Sequence, residues 1–464
     1  MSDQNLHEFV AAAAERFGIP GAGVGVFVDG RTVHAGHGVT SVENPQPVDE
    51  HTVFALGSVS KTFTATAVMK LVEQGRIELD SPVRRYVPEL VLADEDLAAA
   101  ITVRQLLNHT AGLGVRLVIE TGDGDDALTR YVARMDELEV IGEPGARASY
   151  SQAGYNLLGR VVETVTGSTF EQAVGELLLE PLGLDESCYF EGQLMTRRIA
   201  RGHNADEDGT PVVARQWKDT RANNPGGGIA ATVADQLRWA RFHLGDGRAE
   251  DGTRVMDAET LRQMQTATAP LRGTSLGDAF GLCWFLRDVD GVRVVGHGGS
   301  GNGQFADLQL VPERNFAVSV MSNGGPGGVA FNQEVVRFAL EHFLGVKDRD
   351  PEPVPYAHAQ VALAAGEYEI DFMTLTIRAE EDADAPTLEV VIKPEIRAAS
   401  EKELPADYPP FPFGLLPGSG DDYIVTGGAM KGHRGFFSRD DAGRITGVDL
   451  AGRLFGRVTA DESR

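Results

Sequence analysis

The sequence predicts an α/β domain followed by a small antiparallel β-barrel or sandwich. Strand-like segments open and close the first three quarters of the 464-residue chain, with helical segments between them. A charged stretch bearing three prolines, residues 347–355, then interrupts the pattern. Short apolar-alternating segments, several divided by Gly and Asp turns, fill the remainder. The expected organisation is a large domain over 1–345, a linker over 346–360 and a barrel over 361–464.

Residues 5–17 have the periodicity of an amphipathic helix that stops at Gly18. Residues 22–28 form a strand, Asp29-Gly30 a tight turn, and 31–35 the returning strand. A helix is expected from Ser58 to about Gly75, its glycine cap. A second runs over 152–166, with Leu157, Leu158, Val161, Val162 and Val165 on one face. Strands follow over 281–287, 293–295, 304–311 and 316–322, and a helix over 331–344. In the barrel the expected strands are 368–378, 387–392, 423–426, 436–439, 445–450 and 454–458.

The formal charge of −26 disfavours nucleic acid and anionic membrane as partners and is read as solubility or salt adaptation. Cys188 and Cys283 lie in apolar surroundings and are read as small buried hydrophobes, neither a disulfide framework nor a metal site. Eleven scattered histidines lack the paired spacing zinc prefers. The glycines near 30–38 lack a nucleotide-binding setting. No cofactor or metal is expected. Residues 1–15 carry no basic segment followed by a long apolar run, so the expectation is a cytoplasmic protein. Its partner is a small molecule or peptide, and its oligomeric state stays open.

Seven lysines stand against 35 arginines, and only Lys61 has a serine three residues earlier. A lysine can give up its proton when buried; an arginine cannot. At i and i+3 on a helix, Ser58 and Lys61 share a face. Ser58 at the helix start would meet free N–H groups that favour developing negative charge. A desolvated Lys61 would ease removal of the serine proton.

Beyond this pair, residues 101–113 (ITVRQLLNHTAGL), 144–159 (PGARASYSQAGYNLLG), Pro181-Leu-Gly-Leu184, Gly226-Gly-Gly-Ile229, 280–285 (FGLCWF) and Gly296-His-Gly-Gly299 follow in order. Together with Ser58-Val-Ser-Lys61 this set resembles the family of class C β-lactamases, D-aminopeptidases, penicillin-binding-type esterases and peptide cyclases. The resemblance implies a β-lactamase/transpeptidase-like domain, with an antiparallel sheet, flanking helices and a helical insert at about 76–275. It implies a lipocalin-like C-terminal barrel that covers the pocket. It assigns Ser58 as nucleophile, Lys61 as its activator and Tyr150 as proton relay. His297, in the His-x-Gly variant of Lys-Thr-Gly, would support the tyrosine. The backbone N–H groups of Ser58 and Ser300 would form the oxyanion hole. Gln152, Gly298, Gly299 and Asn224 would contact substrate.

Gln152 departs from the family's usual asparagine, which puts lactam turnover in doubt more than acylation. His34-Ala-Gly36 and His433-Arg-Gly435 also match His-x-Gly, but only His297 stands in the expected order. Tyr155 is read as core and His109 as a residue bonding neighbouring loops. Asn223 and Gly226–Gly228 border the pocket or form a plain turn. Arg434, Arg444 and Arg453 are candidates to meet a substrate carboxylate. The implied activity is a serine hydrolase that forms an acyl-enzyme with amides or esters. An amine acceptor would make it an acyltransferase or peptide cyclase. A binding protein on the same fold is the remaining reading.

Overall fold

The computed structural model describes residues 3–206, 208–217, 220–399, 407 and 409–458; the last six residues of the expected barrel segment lie outside them. Eight antiparallel strands build the central sheet: β1 (Gly21–Val28), β2 (Arg31–Gly38), β3 (Ala269–Thr274), β4 (Gly277–Phe280), β5 (Phe285–Val289), β6 (Val292–Ser300), β7 (Phe305–Val311) and β8 (Phe316–Ser322). Their spatial order is β2-β1-β8-β7-β6-β5-β4-β3. The N-terminal hairpin thus docks on the last strand of the domain, with Ala22 opposite Ser322 and Phe27 opposite Ala317.

Every residue of β1 and of β8 is buried, because both faces of the sheet are covered. On one face lie α1 (Asp3–Phe17) and a later helix, Gly328–Ala339. Leu6, Val10, Ala13 and Ala14 form the buried stripe of α1, and Phe9 stacks on Phe338 at 3.9 Å. The other face carries the larger core, which includes α2 (Ser60–Glu73) and α3 (Gln152–Thr166). Eleven of the fourteen residues of α2 are buried, so its threonines bond inward: Thr62 to Val59 O, Thr64 to Pro225 O and Thr66 to Thr62 O. Ser151 caps α3 by accepting the Gly154 N–H, and Gly167 ends it in the left-handed region.

Two expected strands are each broken by a turn. Within 281–287 the chain reverses, the Gly281 N–H donates to Trp284 O, and Cys283 sits at φ +83°; only Phe285 onward is strand. Within 368–378 a reversal at residues 370–372 separates two paired strands. Gly281 opens the first run and does not interrupt it, and the second holds no Gly or Pro, so neither break was signalled. The helix expected from Ser58 also begins later than that, a tight 3₁₀ turn at Gly57–Val59 preceding α2.

Downstream, β9 (Gly366–Glu369), β10 (Met373–Arg378), β11 (Thr387–Ile392), β12 (Phe411–Leu415), β13 (Asp422–Val425), β14 (Arg434–Arg439), β15 (Ile445–Leu450) and β16 (Arg453–Arg457) form a closed antiparallel barrel. Strand β12 was not expected, because Pro412 interrupts its pattern. Side chains fill the barrel, Tyr368, Phe413, Tyr423 and Phe437 among them, and Val115 of the first domain inserts into the same cluster. Beside it, the Arg116 N–H donates to Asp371 Oδ2 at 2.7 Å. The β15–β16 turn bonds the first domain as well: the Tyr150 N–H donates to Gly452 O at 2.8 Å. No helix among the described residues is long and apolar enough to cross a membrane.

Candidate active site

Ser58 lies in the 3₁₀ turn ahead of α2 and is half-exposed, while Lys61 on the first turn of α2 is fully buried. The turn is held from inside: Ser60 Oγ donates to Gly57 O at 2.6 Å and accepts the Ile229 N–H at 3.0 Å. Lys61 Nζ donates to Ser58 Oγ at 3.3 Å, to Gly226 O at 2.7 Å and to Gln152 Oε1. Burial holds the Lys61 amine well below its ordinary pKa, and the charges of Arg453 and Arg116 push it further down against an opposing contribution from Cys283. A neutral amine at this distance can accept the Ser58 proton.

Tyr150 enters from the loop before α3 and is buried. Lys61 Nζ stands 4.9 Å from its ring centroid. Its hydroxyl completes no hydrogen bond of normal geometry but interacts with Ser58, which counters the strong upward push that burial gives its pKa. Two histidines flank it, His109 with its ring centroid at 4.5 Å and His297 at 6.2 Å. His109 Nδ1 accepts the Ser151 N–H at 3.1 Å and so fixes the loop that carries Tyr150. His297 Nδ1 donates to Gly298 O at 2.7 Å, which leaves Nε2 a bare, buried acceptor. Burial, with Lys61 adding to it, drops the His297 pKa to about 3; the ring is neutral. Phe285, which ends the 280–285 segment but was given no role at the site, stacks on His297 at 4.2 Å.

Glycine is required where β6 meets the nucleophile turn. Gly57 has φ +51°, and a Cβ there would lie 2.7 Å from Ser300 N. A Cβ on Gly299 would lie 2.0 Å from Leu56 O and 2.9 Å from Ser58 N. The backbone at Ser58 and the backbone at Ser300 are thereby drawn together.

Gln152 uses its length. Its carbonyl accepts from Lys61, and its amide donates to Asn223 Oδ1 at 2.6 Å and Asn156 Oδ1 at 3.2 Å. The extra methylene fits because residue 226 is glycine; a Cβ there would fall 1.5 Å from Gln152 Nε2. Asn224, expected at the substrate, is instead buried and donates its amide to Glu171 Oε1 at 2.6 Å. The loop's contribution comes from Asn223 and the Gly226 carbonyl. Tyr155 donates to Leu107 O at 2.9 Å within the core.

The three arginines separate. Arg453 on β16 places its guanidinium 4.9 Å from the Tyr150 ring centroid and donates to Ala451 O at 3.1 Å. Arg434 lines a separate cleft with Arg287, Asp307 and Arg337. Arg444 is exposed and paired with Asp440 at 2.7 Å. Among the described residues no group of three His, Cys, Asp or Glu side chains is placed to hold a metal ion.

The beta-lactamase family model matches residues 6–340, which span every element of this site except Arg453. The chain belongs to the beta-lactamase family. Penicillin-binding protein 4 of Amycolatopsis lactamdurans is 36% identical over 332 residues, covering 71% of this chain and 87% of that protein. Among solved structures, SurE with D-Leu superposes with a TM-score of 0.74 at 24% identity, over 98% of this chain and 99% of its own. The class C β-lactamase of Rhodobacter sphaeroides reaches 0.60 at 23% identity, over 73% and 99%. This beta-lactamase-family chain is thus, at the level of the family, a serine hydrolase or acyltransferase working through an acyl-enzyme. The likeness to SurE extends through the barrel; that to the class C enzyme covers about the share of the chain that the first domain occupies.

Below Arg453, Asp449 is 3% exposed and accepts the Gly452 N–H at 3.3 Å. Burial raises its carboxyl from 3.8 to about 7. A carboxyl that binds its proton more tightly folded than unfolded makes stability fall as pH rises between those two values. Asp449→Asn removes that loss. Its stability advantage over the wild type, measured by urea unfolding, is expected to grow by about 1.4 kcal/mol between pH 5 and 6. An advantage that does not change with pH would reject the assignment.

Proposed function

We propose that this protein is a serine hydrolase that acylates Ser58 with amide or ester substrates. The observation that carries it is the convergence of Ser58, a buried Lys61 and Tyr150 where the backbone at Ser58 and at Ser300 is drawn together. Ser58 Oγ attacks the substrate carbonyl while its proton passes to the Lys61–Tyr150 pair. The tetrahedral oxyanion takes hydrogen bonds from the Ser58 and Ser300 N–H groups. Collapse breaks the bond to the leaving group, which receives a proton from Tyr150, and leaves the Ser58 ester. Water, deprotonated by the same pair, then attacks that ester and releases the acid. Gln152, Gly298 and Gly299 border the donor, Gln152 chiefly by holding Lys61.

An acyltransferase reading, in which an amine replaces water, draws on the barrel. The β15–β16 turn stands over Tyr150 and restricts water at the acyl-enzyme, and the half-exposed Arg453 suits a donor with a carboxylate. SurE, described with D-Leu, has a chain of the same extent, which makes D-configured peptide or aminoacyl donors the first to try. The intact Ser58, Lys61, Tyr150 and His297 set speaks against a non-catalytic binding protein.

Intact-mass measurement tests this directly, with activated acyl esters, D-aminoacyl amides and a β-lactam, each with and without an added amine. An adduct is expected that disappears in Ser58→Ala, and amine capture would favour transfer over hydrolysis. An adduct that persists in Ser58→Ala would place the nucleophile elsewhere.

A further inference from the structure

We infer that Arg453 of the C-terminal barrel is a positioning residue for the reaction, supplying across the domain boundary the cation that His297 does not provide. The inference rests on the acyl-enzyme reading and adds to it a task for the barrel other than substrate recognition.

The third motif occurs in this family as Lys-Thr-Gly or as His-x-Gly, and here residue 297 is histidine. A lysine there would set a second positive charge beside Tyr150. His297 cannot, because it is fully buried and neutral. Arg453 makes up the difference from the opposite chain segment. Its guanidinium lies over the Tyr150 ring at 4.9 Å, the same distance as Lys61 Nζ, so the phenol has the Lys61 amine from one domain and a permanent cation from the other. The contact is anchored in the backbone: Gly452, the residue before Arg453, accepts the Tyr150 N–H at 2.8 Å and packs on Leu276. Among the described residues the guanidinium donates to Ala451 O, a neutral partner on its own turn, and hydrogen-bonds to no carboxylate.

Other charged and titratable groups near the pair do not take this part. From α2 comes Lys61 itself; from the loop before Tyr150, the neutral His109 and, farther off, Arg147; from α3, Tyr155. Cys283 is held in its thiol form by burial, and Arg116 adds a weaker positive contribution at Lys61. Of the barrel groups that interact with Arg453, Asp449 is largely protonated below neutral pH, burial raises Asp371 to about 6, and burial lowers His433 to about 4, which leaves it neutral. Arg453 stabilises the deprotonated forms of both Tyr150 and Lys61. Proton removal from Ser58 therefore becomes available at lower pH than the two groups alone would allow.

The test is the pH dependence of Ser58 acylation by a neutral activated ester that bears no carboxylate, followed by burst kinetics on the full-length enzyme. With that donor, lost recognition of a substrate carboxylate cannot produce a defect. Arg453→Met is expected to move the acid limb of the profile up by about one pH unit, with about a tenfold loss on the limb. Arg453→Lys restores the limb. Arg453→Gln, which keeps a donor for Ala451 O, gives a second neutral variant should the methionine variant fold poorly, and moves the limb alike. The double variant His297→Lys/Arg453→Met returns the limb toward the wild-type position, because the charge is put back on the other domain. Limbs that superpose, with amplitudes alone reduced, would mean a merely structural arginine and overturn the inference while leaving the acyl-enzyme intact. Failure of the wild type to acylate with any donor would instead overturn both readings.

Discussion

Methionine in place of Lys61 is expected to slow Ser58 acylation by about 10³-fold at neutral pH, the size of a lost general base. The side chain is fully buried, so no solvent-borne base can take its place beside Ser58 Oγ. Methionine matches the stem in volume and removes the cost of a desolvated amine. Against that gain, Gly226 O and Gln152 Oε1 lose their donor. The two effects oppose each other, so the midpoint of thermal unfolding should move by only a few degrees. Burst-phase mass spectrometry on wild type and variant, at matched ester concentration, measures the first quantity and calorimetry the second. A variant that acylates within tenfold of the wild type would show that Tyr150 takes the serine proton without Lys61.

Alanine at Gly299 carries the second large effect. The new methyl would fall 2.0 Å from the Leu56 carbonyl, which is backbone and cannot swing aside. Strand β6 must therefore separate from the Ser58 turn and pull the Ser300 N–H out of register with the Ser58 N–H. Removing one oxyanion donor costs about 10²–10³ in kcat. At Gly298 the nearest atom to the same methyl is Ala306 O at 3.9 Å. Gly298→Ala should accordingly lose less, and lose it in KM. Equal losses in kcat at the two positions would mean that the hole is not built where β6 crosses the turn.

The helix over 152–166 was legible to the residue, because Ser151, Gly167 and a clean apolar face mark both ends and the stripe between them. The strand over 316–322 was equally plain, an alternating apolar run in a sheet covered on both sides. Ser58, Lys61, Tyr150 and His297 could be named together because a motif order, not a local pattern, links residues that are up to 239 positions apart. What could not be read is what depends on three-dimensional neighbours. Asn224 and Asn223 are adjacent and chemically identical, yet one binds Glu171 and the other Gln152. Phe285 carries no polar atom to attract notice, and its stacking on His297 exists only once β5 and β6 pair. Arg434, Arg444 and Arg453 were equivalent candidates in the sequence; the hairpin geometry alone brings Arg453 to Tyr150. Gln152 looked like a weakened contact until the space left by the missing side chain at Gly226 showed where its extra methylene goes.

The pairing of residues 22–27 with residues 317–322 has a consequence for the newborn chain. The N-terminal hairpin leaves the ribosome early but has no partner until almost 300 further residues have been made. At about 5–20 residues per second it waits roughly 15–60 s. Until then β1, apolar and wholly unpaired on one edge, is the segment most exposed to misassociation. The nucleophile turn is in the same position, since the Ser300 amide it requires lies on a strand synthesised just before that closure. Each molecule thus completes the surroundings of Ser58 only when about two thirds of these 464 residues have been made and the barrel is still to come.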